Sequence, residues 1–134
     1  MLYIVWNDNN KVGIPIIDEQ HRGIVSTINS LYYFIQEGHG LDALKPTLSI
    51  LEHYTHIHFK TEEELIKVAG FPDIQRHTEL HNDLMERTKE ITRESLSLKE
   101  PAMALAFLKE WWIGHINKED KRYGSYVKQH LGIY

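Results

Sequence analysis

The stretch LSILEHYTHIHFKTEEELIKV, residues 48–68, decides how this chain folds. Leu44, Leu48, Leu51 and Thr55 recur at steps of three and four, the spacing of one helical face. The same face then meets His58 and Glu62, one turn apart. A stripe that should stay apolar in a core thus ends in an imidazole and a carboxylate.

Two other stretches repeat the pattern. HTELH (77–81) places His77 and His81 one turn apart, and HINKED (115–120) pairs His115 with Asp120. Ile24, Ile28, Leu31 and Ile35 form an apolar stripe that begins just after His21. Ile74, His77, His81, Leu84, Thr88 and Ile91 form another, and Ala104, Leu108, Trp111 or Trp112, and His115 a fourth.

The breaks between these stripes set the architecture. The chain up to about Ile17 has no helical period and carries Asp8, Asn10, Gly13 and Pro15, so it reads as an arm. Asp18 is placed to cap the first helix, which Gly38 and Gly40 end. The second helix runs from Leu41 or Asp42 to about Val68, before Gly70 and Pro72. Asp73 is placed to cap the third, and Pro101 suits the first turn of the fourth. A short fifth helix spans about Asp120 to His130. Long amphipathic helices with short connections give an all-α fold, an up-down-up-down four-helix bundle with an N-terminal arm and a short C-terminal helix. One domain over residues 1–134 is expected.

That topology brings the unusual residues together. His21 lies near the start of the first helix, His58 and Glu62 toward the end of the second. His77 and His81 open the third, and His115 closes the fourth. All four locations fall at one end of the bundle. Asp120 joins them only if the helix loosens or ends near residues 116–119, because a five-residue offset leaves the face of a regular helix. Five imidazoles buried in one layer would be expensive, since an unpaired buried polar group costs about 1–3 kcal/mol. Metal coordination offsets this by using one ring nitrogen and leaving the other for an acceptor. Five histidines and two carboxylates exceed what one metal can use, whereas two metals sharing both carboxylates can use all seven. Nitrogen and oxygen donors leave iron, manganese, zinc, cobalt and nickel open.

Composition sets the remaining limits. The 134-residue chain is 42% hydrophobic, in the range of a soluble globular domain. It has 15 Lys+Arg against 19 Asp+Glu, a net charge of -4, so nucleic acid is not an expected partner. No apolar run is long enough to cross a bilayer, and MLYIVWNDNN lacks the order of a signal peptide. A cytoplasmic protein without membrane insertion is expected. There are no cysteines, which excludes disulfides, iron–sulfur clusters and thiolate-bound zinc, while histidine is unusually frequent at 9.

IDEQH (17–21), HFKTEE (58–63), HTELH and WWIGHINKED (111–120), with Trp6 and GIPIID (13–18), together resemble the hemerythrin family in its single-domain bacterial form. The resemblance spans almost the whole chain. It implies a non-haem di-iron centre that binds dioxygen reversibly, for delivery or storage. One iron would be held by His77, His81 and His115, the other by His21 and His58 with an open position. Glu62 and Asp120 would bridge both, with an oxo or hydroxo bridge as the third link. Ile24, Phe59 and Ile113 lie within a turn of ligands and would line an oxygen pocket.

The remaining polar and aromatic residues read as packing or surface. Trp111 and Trp112 read as packing, and His53 and His56 as surface. His39 falls in a loop, His130 near the C-terminus, and Glu63 and Glu64 read as solvated charge. Other functions share the chemistry: an oxygen or redox sensing module, or a di-iron oxidase or peroxide- or nitric-oxide-processing enzyme. An enzyme would need proton and electron delivery, and no second carboxylate or tyrosine relay is evident in the sequence. The expectation is therefore a carrier rather than an enzyme, monomeric, that serves an oxygen-consuming partner protein.

Overall fold

The structure, a computed structural model, describes residues 3–131 and, within them, no side chains at positions 112, 113, 116, 117 and 119. Four helices form the bundle: α1 (Pro15–Gln36), α2 (Gly40–Ala69), α3 (Ile74–Leu98) and α4 (Pro101–Gly114). One stretch of π-helix (His115–Asp120) leads into α5 (Lys121–Leu131). Sequence neighbours pack on each other and α1 closes the ring against α4, as in an up-down-up-down bundle.

The helix ends follow from local chemistry. Pro15 occupies the first turn of α1, where its missing N–H costs nothing, so the helix starts inside the stretch expected to be arm up to about Ile17 and runs through Asp18, the expected cap. Gly70 (φ +73°) ends α2 in the left-handed region, and Phe71 N–H donates back to the Ile66 carbonyl (3.1 Å). Lys99 closes α3 in the same conformation (φ +55°), although a side chain makes it costlier there than glycine. Pro101 stands at the start of α4, as the sequence requires.

Two expected caps do other work. Asp18 lies inside α1, and its carboxylate accepts the backbone N–H groups of Val12 (2.7 Å) and Gly13 (3.1 Å), tying the arm down. Asp73 precedes α3 without a side-chain cap bond and instead pairs with Arg122 (2.8 Å). A second tie holds the arm further out, where Ile4 exchanges backbone hydrogen bonds with the Asn29 amide (2.8 and 2.9 Å). The arm also fixes α5. A β-carbon on Gly124 would stand 2.9 Å from the Val12 carbonyl oxygen, so only glycine lets the two backbones meet.

The apolar core is divided. One cluster is built around Ile24, Ile28, Leu31, Leu44, Leu48, Phe59 and Leu108. The other holds Val12, Ile14, Ile17, Ile66, Tyr123 and Val127. Ile17 and Ile24 bracket His21 on α1, and Phe59 and Ile66 bracket Glu62 on α2. Trp111 and Tyr123 bracket His115 and Asp120. A polar layer is thereby sealed between two hydrophobic masses.

Candidate metal centre

All seven residues of the layer are buried, at 0–4% exposure: His21, His58, Glu62, His77, His81, His115 and Asp120. Each arrives by a different local device. On α2, His58 and Glu62 share a face one turn apart, and so do His77 and His81 on α3. His115 and Asp120 share a face because the helix widens to π geometry between them, where i→i+5 hydrogen bonding aligns residues five apart. The loosening that the five-residue offset demands is thus present.

The donor atoms sort themselves. Glu62 Oε1 lies 2.7 Å from His58 Nε2 and 3.4 Å from His21 Nε2. Its Oε2 faces the opposite way, 2.9 Å from His81 Nε2 and 3.2 Å from His77 Nε2. Asp120 divides in the same manner. Its Oδ2 meets His21 Nε2 at 2.7 Å, while Oδ1 meets His115 Nε2 at 2.9 Å. Two groups result: His77, His81 and His115 on one side, His21 and His58 on the other, with Glu62 and Asp120 belonging to both.

The arrangement fits a metal pair better than a network of hydrogen bonds. His81 Nε2, His115 Nε2, Glu62 Oε1 and both Asp120 oxygens are fully buried, and none meets a partner with hydrogen-bond alignment. Within each of the two groups the donor atoms all lie within 4.8 Å of one another. Metal–nitrogen and metal–oxygen bonds of about 2.0–2.2 Å at right angles put neighbouring donors about 3 Å apart. Most of the nitrogen–oxygen contacts across the layer are of that length.

Electrostatics keeps the carboxylates anionic. Burial pushes Glu62 upward, but His58 and the other imidazoles around it outweigh this and hold it well below the usual carboxylate range. Burial and the charge of Glu62 both push Asp120 up, and His115 and His21 outweigh them. In return, burial opposes charge on His58, yet Glu62 and Asp120 raise it to about 9. His115 is raised in the same way, chiefly by Asp120 against burial. A cationic centre would take the place of these protons.

A second ring of residues fixes the imidazoles. His58 Nδ1 lies 2.9 Å from Gln20 Oε1, and Gln20 in turn donates to Thr61 Oγ1 (3.1 Å). His81 Nδ1 lies 2.9 Å from Glu63 Oε2. Glu63 is therefore a partner of the layer and not the solvated charge expected of it, whereas Glu64 is exposed. Gln20 was passed over as well, although it stands directly before His21. Tyr123 is the third residue missed. Its ring stands edge-on to His77 (5.1 Å, 82°), its hydroxyl is buried, and burial, with the charges of Glu62 and Asp120, pushes its ionisation well above 10.

Two of the three residues expected to line an oxygen pocket, Phe59 and Ile24, are buried. Phe59 stacks on the His81 ring (3.7 Å between centroids, 7°) and stands edge-on to Trp111 (6.3 Å, 86°). Ile24 is fully buried in the cluster that includes Phe59. The Ile113 and Trp112 side chains lie outside the described residues. Trp111 packs as expected, and its ring also stacks on His115 (6.3 Å, 28°). His53, His56, His39 and His130 are exposed, as expected. An open cleft of about 470 Å³ between α3 and α4 reaches His115, on the three-histidine side.

The comparisons with known proteins agree with this geometry. The family model described as Hemerythrin HHE cation binding domain matches residues 12–127. A bacteriohemerythrin of Stenotrophomonas maltophilia is 32% identical over 132 residues, 98% of this chain and 86% of that protein. One of Pseudomonas aeruginosa is 30% identical over the same length and shares. A myohemerythrin of Theromyzon tessulatum is 29% identical over 118 residues, 88% of each chain. A crystal structure of a hemerythrin point variant superposes with a TM-score of 0.81 over 95% of this chain and 98% of that one, at 24% identity, a likeness of fold. No described helix is long and apolar enough to cross a membrane. With a family model matched over residues 12–127 and 98% of its length covered by a relative 32% identical to it, the chain belongs to the hemerythrin family, whose cofactor is a di-iron centre.

Proposed function

We infer that this protein binds dioxygen reversibly at a di-iron centre, for delivery or storage. His77, His81 and His115 would hold one iron and His21 and His58 the other, with Glu62 and Asp120 shared between them and an oxo or hydroxo link completing the pair. One observation carries this reading: each carboxylate turns one oxygen to each histidine group. A histidine count of three and two would leave the second iron short of one donor, which is where dioxygen would enter. The irons, when bound, supply the electrons that hold dioxygen.

The chain's own residues do the rest. Gln20 and Glu63 fix the tautomers of His58 and His81, so that Nε2 stays aimed inward. Phe59 and Ile24, in the cluster with Ile28 and Leu31, close the layer and exclude water, with Ile113 proposed beside them. The chain acts as a single domain over residues 1–134, as a cytoplasmic monomer that supplies an oxygen-consuming partner protein. Iron analysis after iron-replete expression tests the site: two irons per chain support it, and one iron, or zinc in its place, contradicts it.

Tyr123 favours a second reading. A buried phenol whose ring meets His77 is the kind of relay group that is not evident from the sequence, where its lack argued against an enzyme. The alternative is a di-iron oxidase, or a peroxide- or nitric-oxide-processing enzyme, with Tyr123 as proton donor. Tyr123→Phe separates the two. A carrier keeps its oxygen affinity and shows no turnover to lose, whereas an enzyme loses steady-state oxygen consumption under reductant.

A further inference from the structure

The two histidine groups are supported unequally. His81, in the three-histidine group, has a carboxylate at Nδ1: Glu63 Oε2, 2.9 Å away and 22% exposed. His58, in the two-histidine group, has the neutral amide oxygen of Gln20 at the same distance. The amide orientation is set by its other end, because Gln20 Nε2 donates to Thr61 Oγ1, whose hydroxyl donates to the Ile57 carbonyl. Both acceptors stand one residue from a member of the layer, Glu63 after Glu62 and Gln20 before His21.

An acceptor on Nδ1–H makes the imidazole a stronger donor through Nε2. An anionic acceptor does this more than a neutral one, because a charge-assisted hydrogen bond draws the Nδ1 proton further and is roughly twice as strong. Added electron density at a metal favours its higher oxidation state. We propose that Glu63 and Gln20 divide the centre electronically, so that the iron held by His77, His81 and His115 is oxidised first. The iron held by His21 and His58 keeps its electron longest. Glu63 and Gln20 are thus positioning residues that act through His81 and His58. This inference rests on the di-iron reading given above.

The division has a use. On the di-iron reading the open place would lie on the two-histidine side, and oxygen would bind there only while that iron is ferrous. When an outer-sphere oxidant removes a single electron from the diferrous centre, the electron leaves the three-histidine iron as Fe(II) becomes Fe(III), and the oxidant gains it. The oxygen-binding half then remains ferrous, and one electron returned from a one-electron donor restores the centre.

Mediated spectroelectrochemistry of the iron-loaded protein under argon tests this, with iron content measured alongside. The wild type should show two one-electron steps. Glu63→Gln, which keeps an amide acceptor but removes the charge, should retain two irons and raise the lower potential. The expected change is about tenfold in the oxidation equilibrium, or 59 mV for one electron. Glu63→Asp should restore it toward the wild type. Gln20→Glu should instead lower the upper potential, so both variants narrow the gap between the steps from opposite sides. Unmoved potentials in an iron-replete Glu63→Gln protein overturn the proposal, as does a shift confined to the upper step. Should Glu63→Gln lose iron, the Gln20→Glu arm decides alone, and an unmoved upper step overturns the proposal. A wild type that does not take up two irons overturns the di-iron reading instead.

Discussion

His115 and Asp120 stand five residues apart with Nε2 and Oδ1 2.9 Å from one another, because the chain between them is π-helical. In a regular α-helix a five-residue step turns the second side chain well away from the first. The wider turn lets α4 deliver a histidine and a shared carboxylate to the same layer, and then hand over to α5 without a loop.

Shared and unshared donors should fail differently. Asp120→Ala removes a donor common to both groups, so iron content should fall well below one per chain. His21→Ala removes a donor from the two-histidine group alone and should leave about one iron. His53→Ala is the control, since that ring is exposed and its Nδ1 bonds the Ser49 carbonyl of its own helix (2.8 Å). Inductively coupled plasma analysis of the three proteins checks the order. Equal iron in the two site variants would contradict the division.

Phe59 should be a barrier and a packing element at once. Phe59→Ala removes a buried ring stacked on His81 and should cost about 3–5 kcal/mol of stability. The iron-loaded protein should tolerate this better, because a ligand bound only to the folded state stabilises it. Water would then reach the layer, so the absorption of the oxygenated form should decay faster in air than in the wild type. Unchanged decay at full iron content would reduce Phe59 to core filling.

Much of this was legible in the sequence, and for a single reason. Helical stripes that run from leucine into histidine report the fold and the layer together, as on α2 from Leu48 to Glu62. The ring around the layer was not legible. Glu63 follows Glu62 and is turned about 100° from it, which reads as an outward face. It reaches inward because the second nitrogen of His81 points to the seam between α2 and α3. Asp18 misled differently. An acid close to a helix start resembles a cap, but the arm bends back and offers it two unpaired N–H groups instead. The five-residue offset required a loosened helix without saying which kind.

The Asp18 tie should matter for stability and not for the metal. Asp18→Ala leaves the Val12 and Gly13 N–H groups without their carboxylate, where they can turn to water, and a carboxylate hydrogen-bonded in this way contributes about 1.5–3 kcal/mol. Urea unfolding should show a loss of about that size in total, with iron content unchanged. A large loss of iron would mean that the arm positions His21 rather than merely covering α5.

The metal-free protein should depend on pH in a direction its ion pairs dictate. His58 is raised from 6.5 to about 9, so its stabilisation is complete below about 6.5 and is lost as the pH climbs through 9. Glu62 and Asp120 are held low, so theirs is present above the ordinary carboxylate range and is lost in acid. Thermal unfolding after chelation should therefore give a lower Tm at pH 9.5 than at pH 6. The iron-loaded protein, with metal in place of those protons, should show no such fall. A Tm that rises over this window in the stripped protein would contradict the assigned charges.

Oxygen itself gives the most direct test. Anaerobically reduced, iron-replete protein is mixed with dissolved oxygen in a stopped-flow cell, and the visible absorption is followed before and after purging with argon. Reversible binding predicts one rapid rise, a product stable for minutes in air, and recovery of the reduced spectrum over repeated cycles at two irons per chain. A rise that vanishes within seconds and cannot be cycled, with oxygen continuously consumed when reductant is supplied, would contradict reversible binding and assign the site to catalysis.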